Sequence, residues 1–233
     1  MLDGVMSGRE VMPDAQSVLV VCAHPDDESF GLGAAISTFT AAGTSTSVLC
    51  LTHGEASTLG ADVADLGTVR SEELAAAAAE LGVDDVRLLN YGDGRLTGEP
   101  LDELSGAVAE MIDRSHADLL LVFDEGGITG HADHCRATEA ALAAAHDRGL
   151  KVLAWAMSDE VADALNREFS AGFVGRDATQ IDVRTRVNRE RQERAIACHV
   201  SQSRDNPVLR RRLALQGEWE VFRWLTPELV QRA

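Results

Sequence analysis

From residue 17 to residue 157 strand-like apolar runs alternate with helical stretches, and this rhythm restricts the fold more than any other feature of the chain. Ser17–Cys22 and Asp118–Phe123 are nearly continuous apolar runs, the pattern of strands buried on both faces of a parallel sheet. Thr46–Leu51, Val86–Asn90 and Lys151–Met157 read as further strands. Helices are expected between them, over about 29–42, 68–81, 101–115 and 132–147. The second carries Ser71, Glu72 and Glu73 near its start and Gly82 after its end. The alternation predicts an α/β fold: an open, mostly parallel, Rossmann-like sheet with helices on both faces. After residue 158 the rhythm changes. Asp159–Phe169 reads as a helix, Gln180–Val183 as an edge strand, Arg186–Gln202 as a helix, Leu209–Gln216 as a weaker helix and Trp219–Leu225 as a last strand. We read this part as a C-terminal elaboration of the same domain, so that residues 1–16 form a flexible tail and 17–233 one domain.

Charge and composition exclude several partners. The 233 residues carry a net charge of −17, with the acidic excess in the first 150, which argues against nucleic acid. Met1–Gln16 lacks the basic start and apolar core of a signal peptide. No run approaches the roughly 20 apolar residues of a membrane span. A cytoplasmic protein with no membrane partner is expected; the oligomeric state is not legible. The cysteines at 22, 50, 135 and 198 are too far apart for a CxxC pair, which points to reduced thiols. Between Arg184 and Arg194, arginines interleave with Glu190 and Glu193 at helical spacing, the pattern of a solvated helix face.

The chemistry concentrates where the first strand ends. His24-Pro25-Asp26-Asp27-Glu28 follows Ser17–Cys22 directly, and open α/β sheets bind ligands at the carboxyl ends of their strands. A histidine and three carboxylates crowded there would repel one another unless a cation joined them. A second group, His131-Ala132-Asp133-His134, follows the 118–123 strand. His24, Asp27 and His134 supply two imidazoles and a carboxylate, a recurrent zinc set that leaves a position open; the same set also holds iron(II) in oxygenases. Asp26, the surplus carboxylate, suits general-base work on a water molecule. His131 reads as an imidazolium beside two acids, able to protonate a leaving amine or stabilise an oxyanion, with Asp133 accepting its ring N–H. Gly31 and Gly33 suggest a dinucleotide loop, but the acids before them would repel a pyrophosphate. Hydrolysis of another amide, and metal or sugar binding without turnover, are the remaining alternatives.

The chain also resembles the LmbE-like/PIG-L family of zinc-dependent N-acetylglucosamine deacetylases. The resemblance is carried by Ala23 to Gly31 and continues through Leu51-Thr52-His53-Gly54-Glu55, Arg70 with Glu73-Leu74, and Leu81-Gly82-Val83. Asp93-Gly94, Gly130 to His134 and His199-Val200-Ser201-Gln202 complete it, so it spans roughly 18–202. It implies a metal-dependent deacetylase acting on a small N-acetylglucosaminyl conjugate. In that reading His24, Asp27 and His134 are metal ligands, Asp26 is the general base and His131 assists the tetrahedral intermediate. Arg70 and Asp93 fall where the family contacts the sugar. Two departures stand out: Ala132 replaces a usual proline, and Thr129 occupies a position where some members carry tyrosine.

Overall fold

A computed structural model describes residues 11–226. Five neighbouring strands of one seven-stranded sheet run parallel: β1 (Ser17–Cys22), β2 (Ser45–Thr52), β3 (Asp85–Tyr91), β4 (Leu119–Phe123) and β5 (Lys151–Ala156). The C-terminal strands β6 (Val183–Arg186) and β7 (Trp219–Leu225) extend it antiparallel, in the spatial order β3-β2-β1-β4-β5-β7-β6. The sheet is α/β and mostly parallel, as the alternation predicts.

Between β1 and β2 the chain forms a single turn, α1 (Asp27–Phe30), and then α2 (Gly33–Ala41), rather than one continuous helix. The break falls at Gly31, where a Cβ would stand 2.3 Å from the Phe123 ring. The main helix after β2 is α3 (Leu66–Leu81), that after β3 is α4 (Leu101–Ser115), and β4 leads through the distorted turn α5 (Gly127–Gly130) into α6 (Ala132–His146). Strand side chains alternate between two cores. Val18, Val20, Cys22 and Leu121 pack with α2 and α3, whereas Leu19, Val21, Leu120 and Val122 pack with α4 and α6.

The elaboration holds α7 (Asp159–Phe169), α8 (Glu190–Cys198), α9 (Val200–Ser203) and α10 (Pro207–Gln216). Two expectations change here. The edge strand lies over 183–186 rather than 180–183, because Val183 and Thr185 bury one face while Arg184 and Arg186 lie over the Trp219 ring. The arginine run is not uniformly solvated either. Arg189 is 10% exposed and pairs with the buried Glu220, and the fully buried Gln192 donates to the Ser29 and Phe30 carbonyls. The expected tail is described only from residue 11. There Met12 is buried in the core and the Gln16 N–H donates to Asp118, so the packed chain begins before Ser17. All four cysteines are free.

Candidate active site at the switch point of the sheet

Strand order reverses between β1 and β4: from β1 the chain winds outward to β2 and β3, then returns to β4 on the other side. Their following loops therefore diverge and leave a crevice at the carboxyl ends of the strands. His24 follows β1, and His131 and His134 follow β4, which is why two groups more than a hundred residues apart meet. His24 Nδ1 stands 3.2 Å from His134 Nε2, and Asp27 Oδ1 lies 3.2 Å from the same His134 nitrogen. One ligand atom from each of His24, Asp27 and His134 lies within 4.8 Å of the others.

The rest of each side chain fixes which atom faces inward. His134 Nδ1 faces the Gly127 carbonyl at 3.2 Å, a bond in which only the ring N–H can donate, so the tautomer that serves as a ligand carries its lone pair on Nε2. His24 Nε2 faces Asp93 Oδ1 at 3.0 Å and Asp133 Oδ2 at 3.3 Å, which turns Nδ1 inward. Asp27 Oδ2 accepts from the Ala23 and His24 N–H groups. Two nitrogens each about 2.0–2.1 Å from a tetrahedral ion stand roughly 3.3 Å apart, so the spacing fits shared coordination of zinc. The charge fits as well. Burial lowers the His24 pKa, but Asp133 and Asp93 overcome it and hold it at about 11. A trio facing that much negative charge calls for a cation, whether protons or a divalent ion supply it.

Asp133 therefore orients His24 and not the His131 ring, contrary to the sequence expectation. Its Oδ2 also accepts from Gly94 N–H and its Oδ1 from Leu96 N–H. Asp93, expected near a sugar, lines the cavity as the second carboxylate on His24 and accepts from Ala56 N–H. Nor is His131 an imidazolium. Burial and its neighbours His134 and His24 push its pKa below the usual value of 6.5, so it is neutral at pH 7. Its Nδ1 caps α6 by accepting from Asp133 N–H at 3.3 Å, which leaves the ring proton on Nε2.

Asp26 sits in a strained turn with φ of 135°, held by its N–H donating to Glu28 Oε2. Arg70, expected at a sugar, does line the cavity, yet it is 3% exposed and much of its guanidinium is committed. It donates to the Pro25 and Gly54 carbonyls and pairs with Asp26 Oδ1 at 3.0 Å. Its contact is with the candidate base. Sequence reasoning missed the layer beneath this turn, where His199 and Glu28, both fully buried, meet at 2.7 Å. Its signal was the last segment of the family resemblance, His199 to Gln202, which lies far from the ligand groups in sequence.

A cavity of about 600 Å³ includes the trio in its lining. Its polar lining includes Ser57, Thr58, Asp93, Gly94 and Gln202. Its apolar lining includes Phe30, Phe123, Ile128, Trp155, Phe173 and Leu209, and Arg212 lines it too.

A family model described as "PIG-L: GlcNAc-PI de-N-acetylase" matches residues 19–145, more than half of the chain. The chain belongs to the PIG-L family. Within that family it is 35% identical over 147 residues to 1D-myo-inositol 2-acetamido-2-deoxy-alpha-D-glucopyranoside deacetylase from Acidothermus cellulolyticus, covering 52% of this chain and 50% of the relative. It is 33% identical over 143 residues to a probable N-acetylglucosaminyl-phosphatidylinositol de-N-acetylase from Schizosaccharomyces pombe, covering 58% and 54%. The chain thus spans about half the length of these curated relatives.

Solved structures share the fold over most of the molecule. N,N'-diacetylchitobiose deacetylase from Pyrococcus horikoshii matches with a TM-score of 0.65 and 22% identity, over 92% of this chain and 85% of that one. The zinc-inhibited form of teicoplanin deacetylase Orf2 matches at 0.67 with 19% identity, over 89% and 97%. The 4-carboxy-2-hydroxymuconate hydratase from Pseudomonas putida KT2440 matches at 0.67 with 17% identity, over 94% and 99%. A hydratase on the same fold means that the fold alone does not name the reaction.

Proposed function

We propose that this protein hydrolyses the amide of an N-acylated amino sugar conjugate, with zinc held by His24, Asp27 and His134. The carrying observation is an inward-facing trio of two imidazoles and a carboxylate beside a separate carboxylate, Asp26, which also lines the cavity. Relatives at about one-third identity named for deacetylation of N-acetylglucosaminyl compounds support the amino sugar. One of them is named for a phosphatidylinositol-linked sugar, so the expected exclusion of membrane substrates has no support from the comparisons. Among the described residues no helix is long and apolar enough to cross a membrane. Four free thiols suit the reducing cytoplasm in which we place the protein. We assign the whole reaction to one catalytic domain, 17–233.

The ion, when bound, supplies a Lewis acid that polarises the amide carbonyl and acidifies water. Asp26 takes a proton from the attacking water as its oxygen adds to the carbonyl carbon. Burial raises the Asp26 pKa to about 6 against the pull of Arg70, so this carboxylate is ionised at neutral pH yet basic enough to accept a proton. His131 Nε2–H donates to the oxyanion of the tetrahedral intermediate. Collapse breaks the C–N bond, and Asp26 returns its proton to the departing nitrogen. The products are the free amine and the carboxylic acid.

The test is acid release from a panel of N-acetylglucosaminides, with metal content measured on the same sample. Acetate release that disappears on chelation and returns with zinc is the expected outcome. Silence of zinc-replete protein on every member would sink the proposal, and oxygen uptake dependent on iron(II) would put the ligands to oxygenase use instead.

A further inference from the structure

Arg212 lines the cavity in an unusual electrostatic state. It is 5% exposed, and its Nη1 is buried with no hydrogen-bond partner. Its Nη2 donates to the Phe30 carbonyl, and its guanidinium carbon lies 5.1 Å from the Trp155 ring centre. The nearby carboxylate is Glu220, already occupied: Oε1 accepts from Arg189 at 2.6 Å, and Oε2 from Trp155 Nε1 at 2.6 Å and Gln216 at 3.1 Å. Among the described residues no carboxylate forms an ion pair with Arg212. Glu220 thus neutralises Arg189, and Arg212 is left as a buried charge without a carboxylate of its own. A buried charge without a partner is costly, and an anion entering from the cavity would relieve that cost.

The cavity supplies a route. The His134 ring is 5.0 Å from Phe123, Phe123 is 5.6 Å from Trp155, and Arg212 lies over Trp155, so an aromatic wall runs from the metal trio to the cation. The methyl of an acetyl group would leave this wall bare. A sugar suits the polar part of the lining, where Ser57, Thr58, Asp93 and Gln202 offer partners.

We propose that Arg212 is a specificity residue for substrates with a carboxylate at the end of an apolar spacer, the spacer lying along Phe123 and Trp155. This deepens the amide-hydrolase reading and rests on it for the position of the scissile bond. The shared chemistry comes from two sources, an acyl group ending in a carboxylate or an aromatic aglycone bearing one. Burial lowers the Arg212 pKa to about 10, which leaves it cationic at pH 7.

The test compares two acid–ester pairs: N-adipoylglucosamine with its methyl ester, and 4-carboxyphenyl N-acetylglucosaminide with its methyl ester. Calorimetric Kd and acid release are measured on the full chain, zinc-loaded. The acid should bind about ten- to a hundredfold more tightly than its ester in at least one pair, which names the source. Arg212→Met should abolish the preference and Arg212→Lys should keep part of it; a purely structural tie between α10 and the Phe30 turn would move neither ratio. Equal binding of acid and ester by the unmodified protein in both pairs overturns the proposal, even if Arg212→Met does not fold. So does a preference that survives Arg212→Met. Selective binding without acid release would sink the hydrolase reading alone, whereas release without selectivity would sink this one alone.

Discussion

The parallel half of the sheet, β1 to β5, and the C-terminal elaboration from α7 to β7 contribute to the cavity in different ways. The parallel half supplies every candidate ligand and proton-handling group, each in the loop or the first helical turn that follows a strand. The elaboration supplies none of them, yet it carries what lies beneath and beside them. His199 meets Glu28 under the Asp26 turn, Gln192 ties off the Ser29 and Phe30 carbonyls, and Arg212 lines the cavity beside Trp155. One half performs the chemistry; the other sets its backbone and its reach.

If that division holds, the largest losses belong to the parallel half. Replacing His134 by Ala should strip the metal and abolish turnover, with both restored together only at high zinc; full metal content in this variant would remove it from the ligand set. Asp26→Ala should retain zinc and still lose about 10²–10⁴-fold in kcat. An unchanged kcat at normal metal content would overturn the general-base assignment. Asp133→Asn, which leaves His24 Nε2 with Asp93 as its remaining carboxylate, should weaken zinc binding by about 10–100-fold in a competition titration. If it instead lowered kcat with zinc affinity intact, the partnership with His131 expected from sequence would return.

Substitutions in the elaboration should act on stability first. The His199 pKa is raised, because Glu28 outweighs the burial that would lower it. A raised histidine contributes stability that is fully present below its unfolded value near 6.5 and is lost as pH rises through the folded pKa. The urea midpoint should therefore fall as pH is raised above neutrality, and His199→Gln should flatten that slope. A wild-type slope retained in the variant would move its origin elsewhere. The smallest effect concerns Asp124, whose carboxyl is held below its ordinary range by Arg176 and Arg223, against the burial that would raise it. Its contribution is present above the unfolded pKa and lost as pH falls through the folded one, so Asp124→Asn should weaken the acid dependence of the midpoint below about pH 4.

Asp124 and Arg212 make the contrast sharper still. Asp124 is a buried charge paired directly with two guanidiniums, one of which, Arg223, also meets Glu125, whereas Arg212 is a buried charge beside a carboxylate already paired with Arg189. The paired ion needs nothing from outside; the unpaired one suits recognition.

Much was legible in the sequence because it is set by local pattern. Continuous apolar runs followed by amphipathic stretches can bury both faces of a strand only in a covered, mostly parallel sheet. The clustering of His24 with Asp27 and of His131 with His134 is likewise a local fact. Three things were decided only by tertiary packing. Asp133 turned to His24 because the β3–α4 loop brings Gly94 and Leu96 N–H groups to its carboxylate. His131 lost its charge because two other imidazoles and burial, not two acids, dominate its surroundings. Arg70 faces Asp26 because the loops at Pro25 and Gly54 close over its guanidinium. In each case at least one deciding neighbour lies tens of residues away, and a side chain's partner and protonation state follow from the groups folding gathers around it.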